Sequence, residues 1–184
     1  LAALKHSNIV EVVGVVATVM PVVILTGKMD NGDLRTYLRA CRATVQHRKE
    51  KLGVAELLRI SVSVAAASVF LETKKIVHRN LMAKSVLVGV DHRDVKLSGF
   101  ESIRGVYRDD EYISTTHANS TQKHQLLTQW KAPETVRHEV YTIKSDIWSF
   151  GVLMWEVFTF GRAPFGAFKA SEISAEIAAG RRLD

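Results

Sequence analysis

Between Ile76 and Ser102 the chain alternates short apolar runs with polar turns, and this stretch constrains the fold more than any other. Val86-Leu87-Val88 and Val95-Lys96-Leu97 flank Asp91-His92-Arg93-Asp94, which is the spacing and turn chemistry of a hairpin. His78, Arg79, Asn80, Lys84 and Ser85 lie before the first run, and Ser98 and Glu101 lie after the second. A hairpin folds the end of its second strand back onto the start of its first. These polar residues are therefore expected to gather at one edge of a small sheet, as an active site or as the remains of one.

The rest of the chain supplies a setting for that edge. With 184 residues, 47% hydrophobic and 24% charged, it is long enough and apolar enough for a soluble domain with a core. The net charge of +6 comes without an Arg-rich run interleaved with aromatics, so it reads as a solvated basic face and not a nucleic-acid site. Cys41 is the only cysteine, which excludes an internal disulfide and points to a reducing, cytoplasmic compartment. The histidines show no metal-ligand spacing. Leu1 to Asn8 has none of the ordered regions of a signal peptide. Glu11, Gly14 and Pro21 interrupt the apolar run Ile9 to Leu25, so it reads as two strands, Ile9 to Val16 and Val22 to Thr26, and no membrane contact is expected.

Asp33 is placed to cap a helix over Leu34 to Cys41, followed by a basic loop from Thr44 to Gly53. Val54 to Thr73 carries Leu57, Leu58, Val62, Ala65, Ala66, Val69 and Phe70 on several faces, and predicts a helix buried on several sides. Arg104 to Gln129 is poor in apolar residues, contains Tyr107 and Tyr112, and predicts a mobile loop. Ser145-Asp146 reads as the N-cap of a helix from Ile147 to about Phe158, apolar nearly all round and expected at the centre of a helical subdomain. A last helix over Ser171 to Ala179 ends at Gly180. Strands at the front and helices thereafter give an α+β arrangement.

In this order the segments resemble a protein kinase domain of the receptor tyrosine kinase type. The resemblance runs from Leu1 to Asp184. Ile24-Leu25-Thr26-Gly27-Lys28-Met29 is similar to the strand entering the hinge, with Thr26 at the gatekeeper position, and Asn31-Gly32-Asp33-Leu34 to the helix that follows. His78-Arg79-Asn80 stands where the family has H-R-D, and Gly99-Phe100-Glu101 where it has D-F-G. Ala132-Pro133-Glu134 matches A-P-E, and Ser145-Asp146-Ile147-Trp148-Ser149-Phe150-Gly151 matches the opening of the central helix. Met82, Lys84 and Trp130 follow the tyrosine kinase pattern and not the serine/threonine one. His92-Arg93-Asp94 also spells H-R-D but sits in the hairpin turn, with Gly99 where an Asn would be needed.

The resemblance implies an α+β kinase-like fold, with residues 1–29 a remnant of the small lobe plus hinge. Residues 30–184 would be the large helical lobe, ending before its last helices. It implies an adenine-pocket remnant at Thr26, Met29 and Leu87. Stacked architectural positions fall at Leu1, Val12, His78 and Phe100, further structural positions at Glu134 and Asp146, and a candidate phosphorylation site at Tyr112. At the chemical positions the chain departs from the pattern. Asn80 replaces the Asp that serves as base, and losing a general base typically costs ~10²–10⁴ in rate. Ser85 replaces the metal-binding Asn, and Gly99 replaces the Asp that holds Mg²⁺. Glu101, two residues on, is read as a charged loop residue rather than a displaced ligand. Leu127 stands where a Pro is usual in the peptide platform. The expectation is therefore a pseudokinase-like domain with degenerate catalytic positions His78, Arg79, Asn80, Lys84 and Ser85. It would bind protein partners in receptor-type signalling, with no cofactor and no metal. The rival is a tyrosine kinase with residual activity, for which ATP and Mg²⁺ would be needed. The parent could then be a membrane receptor.

Overall fold

A computed structural model describes residues 4–16, 23–44, 52–100, 104–105, 111–113 and 128–184. Leu1, Glu101, Tyr107 and Leu127 lie outside the described residues. The strands form two-stranded antiparallel sheets. They are β1 (Val12–Val16) with β2 (Val23–Thr26), β3 (Ile76–Val77) with β6 (Arg104–Gly105), β4 (Val86–Val88) with β5 (Val95–Leu97), and β7 (Glu111–Ile113) with β8 (Val140–Thr142). The helices are α1 (Leu34–Thr44), α2 (Val54–Thr73), α3 (Pro133–His138), α4 (Ile143–Phe158) and α5 (Ala170–Ala178). This is the expected α+β arrangement, mainly helical.

The hairpin expected at the outset forms as β4 and β5, with Leu87 opposite Lys96. Val86, Val88, Val95 and Leu97 point into the main core, where they join Leu34 and Leu38 of α1 and Leu57, Ile60, Val64 and Leu71 of α2. The front strand begins at Val12 and not at Ile9. The reason is a competing partner: Val10 N–H donates to the Leu97 carbonyl at 2.9 Å and Leu97 N–H to that of Asn8 at 2.8 Å, so residues 8–10 edge β5 instead of continuing β1.

Asp33 caps α1 as expected, accepting the Thr36 N–H at 3.0 Å, and the helix runs past Cys41 to Thr44. The start of α4 differs from expectation. Its N-cap is Thr142, whose hydroxyl accepts the Ser145 N–H at 3.1 Å while the Ser145 hydroxyl accepts the Thr142 N–H at 2.9 Å. The reciprocal pair fixes the start at Ile143, four residues earlier than Ser145-Asp146 suggested. Gly180, at φ +93°, follows α5 and donates to the Ile177 carbonyl at 3.1 Å.

The helix expected to be buried on several sides and the one expected at the centre of a helical subdomain are each buried on one side. In α2 the buried line is Leu57, Ile60, Ser61, Val64, Ala67 and Leu71, the spacing of a single helical face. Leu58, Val62 and Val69 are 49%, 65% and 57% exposed, because α2 meets β5 and α4 on its inner side. In α4 the buried set includes Ser145, Asp146, Ser149 and Glu156, while Ile147 and Phe158 are exposed. Among the described residues α2 is the one helix long and apolar enough to cross a membrane, and its inner face lies in the core. Within the loop expected over Arg104 to Gln129, residues 104–105 and 111–113 are strands, β6 closing on β3 and β7 pairing with β8, and its end lies in the 3₁₀ turn Thr128–Trp130.

The adjacent leucines of α2 test this one-sided burial. Leu57→Ala is expected to lower stability by about 2–4 kcal/mol and Leu58→Ala by about 0.5 kcal/mol or less, measured by urea denaturation. Equal losses would contradict it.

Candidate functional site

The site is built on the loop that leaves β3. His78 is fully buried. Its backbone N–H donates to Asp146 Oδ2 at 2.6 Å, and that of Arg79 donates to Asp146 Oδ1 at 2.9 Å. Arg79 sits at φ +69°, a left-handed conformation that costs a non-glycine residue about 1–3 kcal/mol. Both oxygens of the Asp146 carboxylate hold that unfavourable turn in place. The Arg79 guanidinium lies 4.1 Å from the centre of the Tyr141 ring, on β8.

His78 Nε2 lies 2.8 Å from the Ser98 carbonyl, which only accepts, so Nε2 carries the proton. That leaves Nδ1 as the acceptor for the Asn80 N–H at 3.3 Å. One imidazole thus joins the loop after β3 to the residues after β5. Its ring meets Phe100 edge-on, with centroids 6.0 Å apart, and Phe100 is buried in the main core.

Asn80, Ser85 and Gly99 are the positions where the chain was expected to depart from the family's chemical pattern. Asn80 Oδ1 is buried with no hydrogen-bond partner among the described residues. Ser85 is buried at the end of a short 3₁₀ turn, Ala83–Ser85. Gly99 adopts φ +81°, and a Cβ built there would lie 3.0 Å from Ser85 Oγ and 3.6 Å from His78 Cε1. The space beside Gly99 is therefore occupied by Ser85. Lys84 is exposed.

The remaining expected residues sit around this centre. Met29 and Leu87 both pack on the main core, with Leu87 bridged to Asp33. Thr26 is exposed at the end of β2, opposite Val12. Glu134 is exposed in the first turn of α3. Tyr112 lies in β7 with its backbone opposite Tyr141. The structure thus brings His78, Asn80, Ser85, Gly99, Phe100 and Asp146 together, with Met29 and Leu87 packed on the core that Phe100 joins.

Sequence reasoning missed Glu156. It is fully buried on α4, and its Oε2 accepts the Ala83 N–H and the Trp130 indole N–H, each at 2.8 Å. Ser149 donates its hydroxyl to the Trp130 carbonyl at 2.7 Å. An acid inside the apolar run Met154 to Phe158 was the available signal, since a charge there must find donors. Burial raises both acids of α4. Asp146 is pushed up to about 6 by loss of solvent, against the opposing pull of its two backbone donors and Arg79, and burial likewise raises Glu156.

Comparison with known proteins agrees with this architecture. The protein tyrosine and serine/threonine kinase family matches residues 1–184. The chain belongs to that family. It has the kinase-like fold, mainly the helical lobe beside a small sheet. It is 33% identical over 98% of its length to fibroblast growth factor receptor 1 of Pleurodeles waltl, and 33% identical over 98% to the tyrosine-protein kinase Abl of Drosophila melanogaster. It is also 34% identical over 98% to the human tyrosine-protein kinase ABL2. It spans 22%, 10% and 14% of those three relatives.

The raised Asp146 has a consequence for stability. Its carboxyl titrates at about 6 in the native state against 3.8 unfolded, so the native state holds the extra proton between those values. Raising the pH through that window removes the proton and lowers stability, by about 3 kcal/mol for a difference of about two pKa units. Denaturation at pH 4 and pH 6.5 is expected to show about 2 kcal/mol of that loss in the wild type and not in Asp146→Asn. A loss of the same size in both would assign it to other groups.

Proposed function

We propose that this kinase-family chain acts as a tyrosine-kinase-like pseudokinase domain, which binds or scaffolds protein partners in cytoplasmic signalling and transfers little or no phosphate. Gly99 carries this reading. At the position where the family pattern places the metal-holding carboxylate there is no side chain, and Ser85 fills the space one would enter. Asn80 offers a neutral amide in place of the base, and Ser85 a neutral hydroxyl in place of the second metal-binding group. Mg²⁺ sites rest on one or two carboxylates plus substrate phosphates. Asn80, Ser85 and Gly99 supply no carboxylate, so these residues do not fit the ion, and no step is assigned to it. Residues 1–29 would serve as small-lobe remnant and hinge, and residues 30–184 as the large lobe. Tyr112 would be the modifiable tyrosine, no nucleic acid would be bound, and the parent would be of the receptor type.

The second reading, a tyrosine kinase with residual ATP-dependent activity, is favoured by the 33–34% identity to the three relatives. Ligand at a hundredfold its Kd stabilises by about 2.7 kcal/mol, roughly 5–10 °C for a domain of this size. The pseudokinase reading predicts no Mg²⁺-dependent rise in Tm with millimolar ATP. A rise of that order, with tyrosine phosphorylation of a generic peptide that Asn80→Ala abolishes, would establish the second reading instead.

A further inference from the structure

Glu156 stands at a junction that the proposed function does not use. Ala83 opens the 3₁₀ turn leading to Ser85 and β4, and the residue before it, Met82, provides no side-chain cap. The donor left at the start of that turn, the Ala83 N–H, is taken by Glu156 from 73 positions away in the sequence. The same oxygen takes the indole of Trp130, the last residue of the 3₁₀ turn Thr128–Trp130 that leads into Ala132-Pro133-Glu134. Ser149, two helical turns earlier on α4, holds the carbonyl of Trp130. Trp130 is thus gripped by one helix at ring and backbone, and Ala83 by the oxygen that grips the ring.

Among the described residues no third hydrogen bond holds the carboxylate. Oε1 is buried with no hydrogen-bond partner among the described residues. The positive charges bearing on it are Arg35 and Arg39 of α1; the Arg39 Nε donates to the Gly161 carbonyl at 2.8 Å, and the Arg35 Nε is buried with no hydrogen-bond partner among the described residues. A buried charge that loses one of its two donors shifts toward a replacement, and that shift weakens its bond to the Ala83 N–H.

We propose that Glu156 is a positioning residue that couples the Trp130 segment to the loop carrying Asn80 and Ser85, so that a displacement of Trp130 is transmitted to Ala83–Ser85. A partner engaging the Trp130 segment would thereby reset the degenerate centre without touching it. The inference rests on the proposed function for that last consequence alone, and the coupling holds whether or not phosphate is transferred.

Hydrogen exchange on the whole chain tests it without nucleotide. Trp130→Phe keeps an aromatic ring and removes the indole donor. It is expected to speed exchange of the Ala83–Val86 amides about tenfold, the effect of weakening one hydrogen bond to a charged group, and to leave Val95–Leu97 unchanged. In a Glu156→Met background, which leaves neither donor an acceptor at this position, the same substitution is expected to add nothing at Ala83. An unchanged Ala83 in Trp130→Phe, an equal effect in both backgrounds, or uniform acceleration across β5 would each overturn the proposal. If Glu156→Met does not fold, Ser149→Ala asks the same question from the other end of Trp130. Acceleration confined to Ala83–Val86 supports the coupling, and protection equal to wild type there refutes it. Mg²⁺-dependent ATP binding would contradict the proposed function and leave these results unaffected.

Discussion

The Asp146 carboxylate is the interaction on which the site depends. It is buried, and its two oxygens hold consecutive backbone N–H groups at the one point where the loop after β3 takes a left-handed turn at a non-glycine residue. That turn aims His78 inward, and His78 in turn fixes Ser98 and Asn80. Loss of the carboxylate would release the turn and leave two buried donors without acceptors, each costing about 1–3 kcal/mol. The cost of burying the charge appears in its raised pKa, and the packing of α4 against α2 and β3 holds it there.

The buried face of α4 is therefore unlike an ordinary helix core. Asp146, Ser149 and Glu156 each hold a loop: the turn after β3, the backbone of Trp130, and the Ala83 turn together with the Trp130 ring. An apolar helix of the same volume would pack as well or better, since buried charges gain little net stability over apolar replacements. These groups add fixed geometry, because hydrogen bonds specify loop positions that apolar contact leaves free. That geometry is kept around Asn80, Ser85 and Gly99, whose own side chains bring no carboxylate.

How much of this was legible in the sequence follows from the range of each interaction. The β4–β5 hairpin, both ends of α2 and the Asp33 cap depend on neighbouring residues, and alternation, length and turn chemistry revealed them. The tie from Asp146 to the loop after β3 joins residues 67 and 68 positions apart and was available through the motif alone. Glu156 had no motif to announce it. The errors share a cause. Ile9 could pair along β1 or edge β5, Thr142 competed with Ser145 for the cap, and the outer faces of α2 and α4 are as apolar as the inner ones. In each case tertiary partners decided among local options of similar merit. For the site, the arrangement of His78, Phe100 and Asp146 was readable, and the closeness of Ser85 to the Gly99 Cα was not, because it depends on a positive φ that the sequence only permits.

The proposed function rests on a well-held loop whose residues Asn80, Ser85 and Gly99 supply no carboxylate for a metal or a proton. Electron paramagnetic resonance of Mn²⁺, used in place of Mg²⁺ with ATP, tests it most directly. The account predicts that adding the protein leaves the Mn²⁺–ATP spectrum unchanged. A protein-bound Mn²⁺ signal from the wild-type chain, dependent on ATP, would contradict it.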